Sequence, residues 1–114
     1  MEERRKLLRI EVDDFLNLIP LNEVATIKGK SRNLTPMGIC FSSEIEWKKG
    51  QLLYIDYYIP QINDSIKIKV VVVWSEFIDQ KIGYFCGGEI IEVEKEKEEK
   101  FVNYYFQKLN KDFK

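Results

Sequence analysis

Between Ile10 and Val93 the apolar residues of this chain recur with a period of two, and turn formers separate the runs. A period of two puts successive side chains on opposite faces of a strand, so each run has one face to bury. Leu53, Ile55, Tyr57 and Ile59 share such a face. Ile10 to Ile19 alternates less regularly, with Ile10, Val12, Leu16 and Leu18 on one side and Pro20 closing the run. Val24, Thr26 and Lys28 alternate with Ala25 and Ile27 ahead of Gly29, and Met37 to Phe41 reads as a short apolar strand. Lys49-Gly50, the stretch from Pro60 to Ser65 and Asp79-Gln80-Lys81 are turn or loop compositions. The run from Ile66 to Trp74 begins by alternating Ile with Lys and becomes apolar on both faces from Val70, the pattern of a strand buried on both sides. Ile82 to Val93 contains Gly87-Gly88, which predicts a bulge or a barrel corner. About six strands with no helix between them predict a mainly β fold, an antiparallel sheet or a six-stranded antiparallel barrel.

The period then changes. Every residue from Glu94 to Lys100 is charged, and Phe101, Tyr105 and Leu109 follow at helical spacing with Val102 and Phe106 beside them. That stripe predicts one C-terminal helix, over 94–110, packed on the barrel. The EKEKEEK run reads as its solvated face. With no repeat and no linker, residues 1–114 are expected to form a single domain: a flexible basic arm over 1–9, the barrel over 10–93 and the helix.

Composition removes several classes of function. The chain has 114 residues, a net charge of −1, 45% apolar and 32% charged residues, and no histidine. No imidazole means no Ser-His-Asp or Cys-His catalysis and no His-based zinc site. Asp13-Asp14 is the only adjacent pair of aspartates, and neighbours on a strand face opposite ways, so a paired-carboxylate site is not expected either. The expectation is a binding protein without cofactor or metal, not an enzyme. Cys40 and Cys86 read as buried small apolar residues. The longest apolar run, Val70 to Trp74, is too short to span a bilayer, and the N-terminus has no apolar signal region, which makes the cytoplasm the expected compartment, with no membrane insertion.

The arginines are placed unevenly. Arg4, Arg5 and Arg9 lie within the first nine residues and Arg32 stands beside Asn33, whereas the other 14 cationic residues are lysines spread along the chain. Arginine differs from lysine where a planar fork must grip phosphate or a guanine edge, or lie flat on an aromatic ring. The distribution therefore points to a flat, anionic, purine-containing ligand, although ERRK alone is also what a solvated terminus looks like. Asn33-Leu34-Thr35-Pro36-Met37-Gly38 is an N-x-T-x-x-G pattern that reads as a turn between two strands. Asn33 offers an amide to a base edge, Thr35 a hydroxyl to phosphate, and Gly38 close access to the backbone. By itself the hexad also suits an ordinary Asx or ST turn.

Together the two stretches resemble the PilZ domain family. Arg5-Lys6-Leu7-Leu8-Arg9 resembles its RxxxR motif, preceded here by Arg4, and Asn33 to Gly38 resembles its [D/N]-x-S-x-x-G motif with Thr35 in place of Ser. The order of strands, the tryptophan-ended valine run and the C-terminal helix agree with it along the whole chain. The resemblance implies a small six-stranded barrel that binds the bacterial second messenger cyclic di-GMP and relays its presence by a conformational change to a downstream protein. It implies that Arg5 and Arg9 grip guanine and phosphate, that Asn33 reads a guanine edge, that Thr35 bonds to phosphate or a nearby polar atom, and that Gly38 leaves room for the ring. Arg4 would stack on a base or pair with a second phosphate. Trp74 is a further candidate for contact with the ligand, although a tryptophan ending a buried strand is more often core. Two alternatives come from other classes: a degenerate PilZ-like protein-interaction module, and an OB-like barrel for single-stranded nucleic acid, with Tyr54, Tyr57 and Tyr58 near Lys48 and Lys49 as stacking platforms. The net charge of −1 counts against nucleic acid, and no DNA partner is expected.

In PilZ relatives a basic residue just before RxxxR goes with an intercalated pair of ligands and an apolar one with a single molecule. Two stacked dinucleotides concentrate four phosphate charges, and Arg4 would add both a cation and a plane to cap the stack. We therefore expect two cyclic di-GMP molecules per chain and one in Arg4→Leu. Calorimetry on both proteins decides this, and a ratio of one for the unaltered chain would remove Arg4 from the site.

Overall fold

In the computed structural model, which describes residues 8–22 and 24–112, seven strands and one α-helix follow in chain order, with single 3-10 turns at Pro60–Ile62 and Lys95–Lys97. They are β1 (Ile10–Glu11), β2 (Phe15–Pro20), β3 (Ile27–Thr35), β4 (Gly38–Ser43), β5 (Leu52–Ile59), β6 (Asp64–Asp79), β7 (Gly83–Val93) and α1 (Glu98–Asp112). Six strands run around a closed antiparallel barrel in the order β3-β2-β5-β6-β7-β4, and β4 pairs back onto β3. Closure leaves none of the six with a free edge, which accounts for a stable fold at this length. The two-residue β1 pairs with β3 beyond the end of β2. Among the described residues no helix is long and apolar enough to cross a membrane.

The inward face is the one set by the period of two. Leu53, Ile55, Tyr57 and Ile59 of β5 are fully buried, as are Ile66, Ile68, Val70 and Val72 of β6 and Ile39 and Phe41 of β4. Trp47, from the β4–β5 connection, joins this core and donates from Nε1 to Ser43 Oγ at 2.8 Å. At the other end of that connection Gly50 turns the chain with a positive φ of 89°, a conformation that favours glycine.

Three strand expectations need correction. The run from Ile10 to Ile19 is two strands, broken between Glu11 and Phe15. The break is held by hydrogen bonds: Val12 N–H to the Arg32 carbonyl (3.0 Å), Ser31 N–H to the Asp14 carbonyl (2.9 Å) and Asp14 N–H to Ser31 Oγ (2.9 Å). The β6 run is not buried on both sides. Its pairing with β7 steps from Val72↔Gly88 to Trp74↔Gly87, so Val73 is an extra residue that bulges, and Val73 and Trp74 emerge 41% and 45% exposed. Val70 and Val72 line the core, whereas Val73 on the outer side lines a cleft. The three tyrosines of β5 do not form one exposed platform, since Tyr57 is buried and only Tyr58 is well exposed.

The helix closes on the barrel through Phe101, Tyr104 and Tyr105, all buried, while Val102 and Phe106 face out. Phe101 and Tyr104 meet Tyr57 edge-on, with centroids 6.1 and 6.0 Å apart. Such pairs contribute about 0.5–1.5 kcal/mol each beyond area burial. Asp14 joins the layers: its carboxylate accepts from the Tyr57 hydroxyl at 2.7 Å and also from the Tyr104 hydroxyl. Asp13, its neighbour, turns outward to Lys30 at 3.2 Å.

Burial pushes the Tyr57 and Tyr104 phenols well above their ordinary range, and the Asp14 carboxylate acts in the same direction, partly offset at Tyr57 by its bond to Ser31. A phenol whose folded pKa lies above its unfolded value of about 10 contributes stability that is complete below about pH 10 and is lost above it. Each such group gives a slope of about 1.4 kcal/mol per pH unit. Denaturant unfolding between about pH 10 and pH 12 should show this loss, and Tyr57→Phe should flatten it by one group's worth. Parallel pH profiles for the two proteins would place the dependence elsewhere.

Candidate functional site

Four outward residues line up across four strands. Register pairs Asn33 with Cys40, Cys40 with Gly87, and Gly87 with Trp74, so β3, β4, β7 and β6 present an amide, a thiol, a bare backbone and an indole in one row. Adjacent strands lie about 4.8 Å apart, so the row spans roughly 14 Å. Its middle is low because Cys40 is small and Gly87 has no side chain. The Trp74 indole lies directly over Gly87, where an added Cβ would fall 2.0 Å from Nε1. The result is a cleft of about 120 Å³ whose lining includes Arg9, Thr35, Gly38, Cys40, Trp74 and Gly87. Trp74 is therefore a half-exposed wall of this cleft and not a core residue.

Arg9 enters from the N-terminal side. Ile10 is buried and pairs with Leu34, and Glu11 pairs with Asn33, which brings the preceding residue alongside the β3–β4 hairpin. Arg9 Nη1 donates to Asn33 Oδ1 at 2.6 Å. The peptide just before it is tied down from the opposite side, where the Tyr105 hydroxyl donates to the Leu8 carbonyl at 2.5 Å. Arg4 and Arg5, and the flexible arm expected around them, lie outside the described residues apart from Leu8 and Arg9.

The N-x-T-x-x-G pattern is not wholly a turn. Asn33 to Thr35 end β3, Pro36-Met37 form a two-residue connection, and Gly38 opens β4. Thr35 is buried, and its Oγ1 accepts from the Met37 N–H (3.1 Å) and the Gly38 N–H (3.0 Å). These bonds occupy the hydroxyl as an acceptor and leave its proton to donate. The Ile90 N–H donates to the Met37 carbonyl at 2.9 Å and fastens the hairpin tip to β7. A Cβ at Gly38 would sit 3.3 Å from the Gly88 carbonyl oxygen, tight against the neighbouring strand.

Neither a family model nor a curated protein matches the chain. Solved structures do. The PilZ domain of YcgR from Escherichia coli, determined with c-di-GMP, is similar over 96% of this chain and 94% of that one, with a TM-score of 0.73 at 14% identity. The Bacillus subtilis inhibitor of motility MotI/DgrA is similar over 95% of this chain, with a TM-score of 0.75 at 15% identity. This chain spans about half of that protein, 52% of its length. The fold is that of a PilZ domain.

In this PilZ-like barrel the structure brings Arg9, Asn33, Thr35, Gly38 and Trp74 to one face. Cys40 and Gly87 complete the floor, and the sequence offers little sign of them, since their contribution is to be small. Burial pushes the Cys40 thiol up, against the lowering effect of the Arg32 and Arg9 charges, so it lies in the floor as a thiol. Gly87→Ala should displace the Trp74 ring without unfolding the barrel, because the clash is with a half-exposed side chain. Acrylamide quenching of tryptophan emission should increase, with buried Trp47 as the internal reference. Unchanged quenching would show that the ring does not rest on Gly87.

Proposed function

We propose that this domain is a receptor for cyclic di-GMP. The observation that carries the reading is the contact between Arg9 and Asn33, one from each motif and 24 residues apart, at the side of a flat-floored cleft walled by Trp74. A cyclic dinucleotide presents two guanine faces, two guanine edges and two phosphates. The indole offers a stacking plane, the Asn33 amide a donor and acceptor for a base edge, and the guanidinium a fork for O6 and N7 or for phosphate. Thr35 retains its hydroxyl proton for a phosphate oxygen, and Gly38 brings backbone close to the ligand. Arg4 and Arg5 would add the remaining cations from the N-terminal side.

The Arg9 fork is held by Asn33. A guanine or phosphate that takes the fork would release or reorient this bond, and the movement has a route onward, because the Leu8 carbonyl is bonded to α1 through Tyr105. That link suits an effector whose output is a change in the helix. The reading is of a binding module and not an enzyme: besides Arg9, the polar side chains lining the cleft are a protonated thiol, the Thr35 hydroxyl and a single carboxylate, Glu89. The similarity of the fold to a PilZ domain determined with c-di-GMP supports it.

Calorimetric titration with cyclic di-GMP tests the proposal. Saturable binding is expected, with Arg9→Ala weakening it by about tenfold or more, the loss appropriate to a charge-assisted hydrogen bond. Circular dichroism melts should coincide, since an arginine side chain outside the core supports little of the fold. Absence of binding by the unaltered chain would leave the protein-interaction module as the better reading.

A further inference from the structure

Arg32 belongs to neither motif, yet the backbone places it with care. The β3–β4 register runs Ser31↔Phe41 and then Asn33↔Cys40, so Arg32 is the extra residue of a bulge. Its carbonyl accepts from the Val12 N–H at 3.0 Å, which holds the bulged peptide against the break between β1 and β2. Its side chain crosses β4 and lies over Phe85 of β7, with Cζ 4.0 Å from the ring centroid. Phe85 is the outward residue next to Gly87 on β7, two positions away and on the same face as the cleft floor. Both Arg32 and Arg9 act electrostatically on Cys40, in that order of strength, so the two guanidinium groups stand over one stretch of sheet.

The chemistry of the arrangement is specific. A guanidinium stacked on an aromatic ring uses its face and leaves its in-plane N–H edge for acceptors. Among the described residues Arg32 forms no ion pair, although Glu11 and Asp13 line the neighbouring hollow. An exposed, preordered fork beside a cleft that already contains one such fork suits a ligand with two anionic groups on a compact frame.

We propose that Arg32, held on Phe85 at the margin of that cleft, is a second anion-binding subsite and takes a phosphodiester of the cyclic dinucleotide. The proposal rests on the nucleotide reading above and adds a contact that neither motif contains. Phe85 is a positioning residue here, because it acts through the guanidinium.

Titrations with cyclic di-GMP at low and high salt on the unaltered chain, Arg32→Ala, Arg32→Lys and Phe85→Leu test it. Arg32→Ala should weaken binding by about fivefold or more and make it less sensitive to salt, with the melting curve unchanged. Arg32→Lys should recover the salt dependence but only part of the affinity, because the charge returns without the fork. Phe85→Leu should give a smaller loss, of about two- to threefold, with salt dependence retained. Should the alanine variant melt early, the lysine and leucine variants carry the same comparison. If all three bind like the unaltered chain, the Arg32 subsite is wrong and the nucleotide reading stands. If the unaltered chain does not bind, both fall.

Discussion

The carboxylate of Asp14 is the point on which the arrangement of layers depends. It accepts hydrogen bonds from Tyr57 of β5 and Tyr104 of α1, while its own backbone pairs with Ser31 of β3. The Tyr57 hydroxyl, whose one proton goes to Asp14, also lies 3.1 Å from Ser31 Oγ, so four segments meet at one polar cluster beneath the helix. Buried polar groups of this kind stabilise only when all are satisfied, and a phenol left without its acceptor costs about 1–3 kcal/mol. Here the condition is met: among the described residues no buried side-chain nitrogen or oxygen lacks a partner. Because Asp14 sits in the break between β1 and β2, the cluster also fixes the path by which the chain reaches Arg9.

The candidate site is shaped by two of the barrel's four register shifts. One extra residue in β3 turns Arg32 out of the ladder, and one extra residue in β6 brings Trp74 outward. Between them lie Cys40 and Gly87, which keep the floor low. A regular sheet would alternate side chains at fixed spacing. The bulges re-aim a guanidinium and an indole toward opposite sides of that floor at the expense of two ladder positions.

Much of the barrel is legible in the sequence because burial on one face imposes a period of two. The β5 set of Leu53, Ile55, Tyr57 and Ile59 shows this directly. The misreadings fall where a nonlocal bond overrides the local pattern. Nothing near Val12 announces that Ser31 will break the strand there, and nothing in Val70 to Trp74 announces a bulge opposite Gly87 and Gly88. In the helix the stripe of Phe101, Tyr105 and Leu109 does face the barrel, but the flank that joins it is the other one: Tyr104 turns in toward Asp14, while Val102 and Phe106 turn out. For the site, the spacing of Arg9, Asn33, Thr35 and Gly38 is visible in the chain, and pairing of β1 with β3 brings the first two into contact. Arg32 was conspicuous as an isolated arginine, but its partner Phe85 is 53 residues away and carries no mark of its role.

The bond from Tyr105 to the Leu8 carbonyl joins residues 97 apart, and that from Tyr104 to Asp14 joins residues 90 apart. During synthesis every strand of the barrel leaves the ribosome before either tyrosine does. The entropy of closing such long loops grows only slowly with their length, and a barrel already paired has brought their ends together. The strands can therefore assemble first and the helix can dock last at little further entropic cost. That last step ties down the Leu8 peptide from the outer side, so a nascent barrel can already hold Ile10 and Arg9 against β3 before the helix fixes the residue that precedes them.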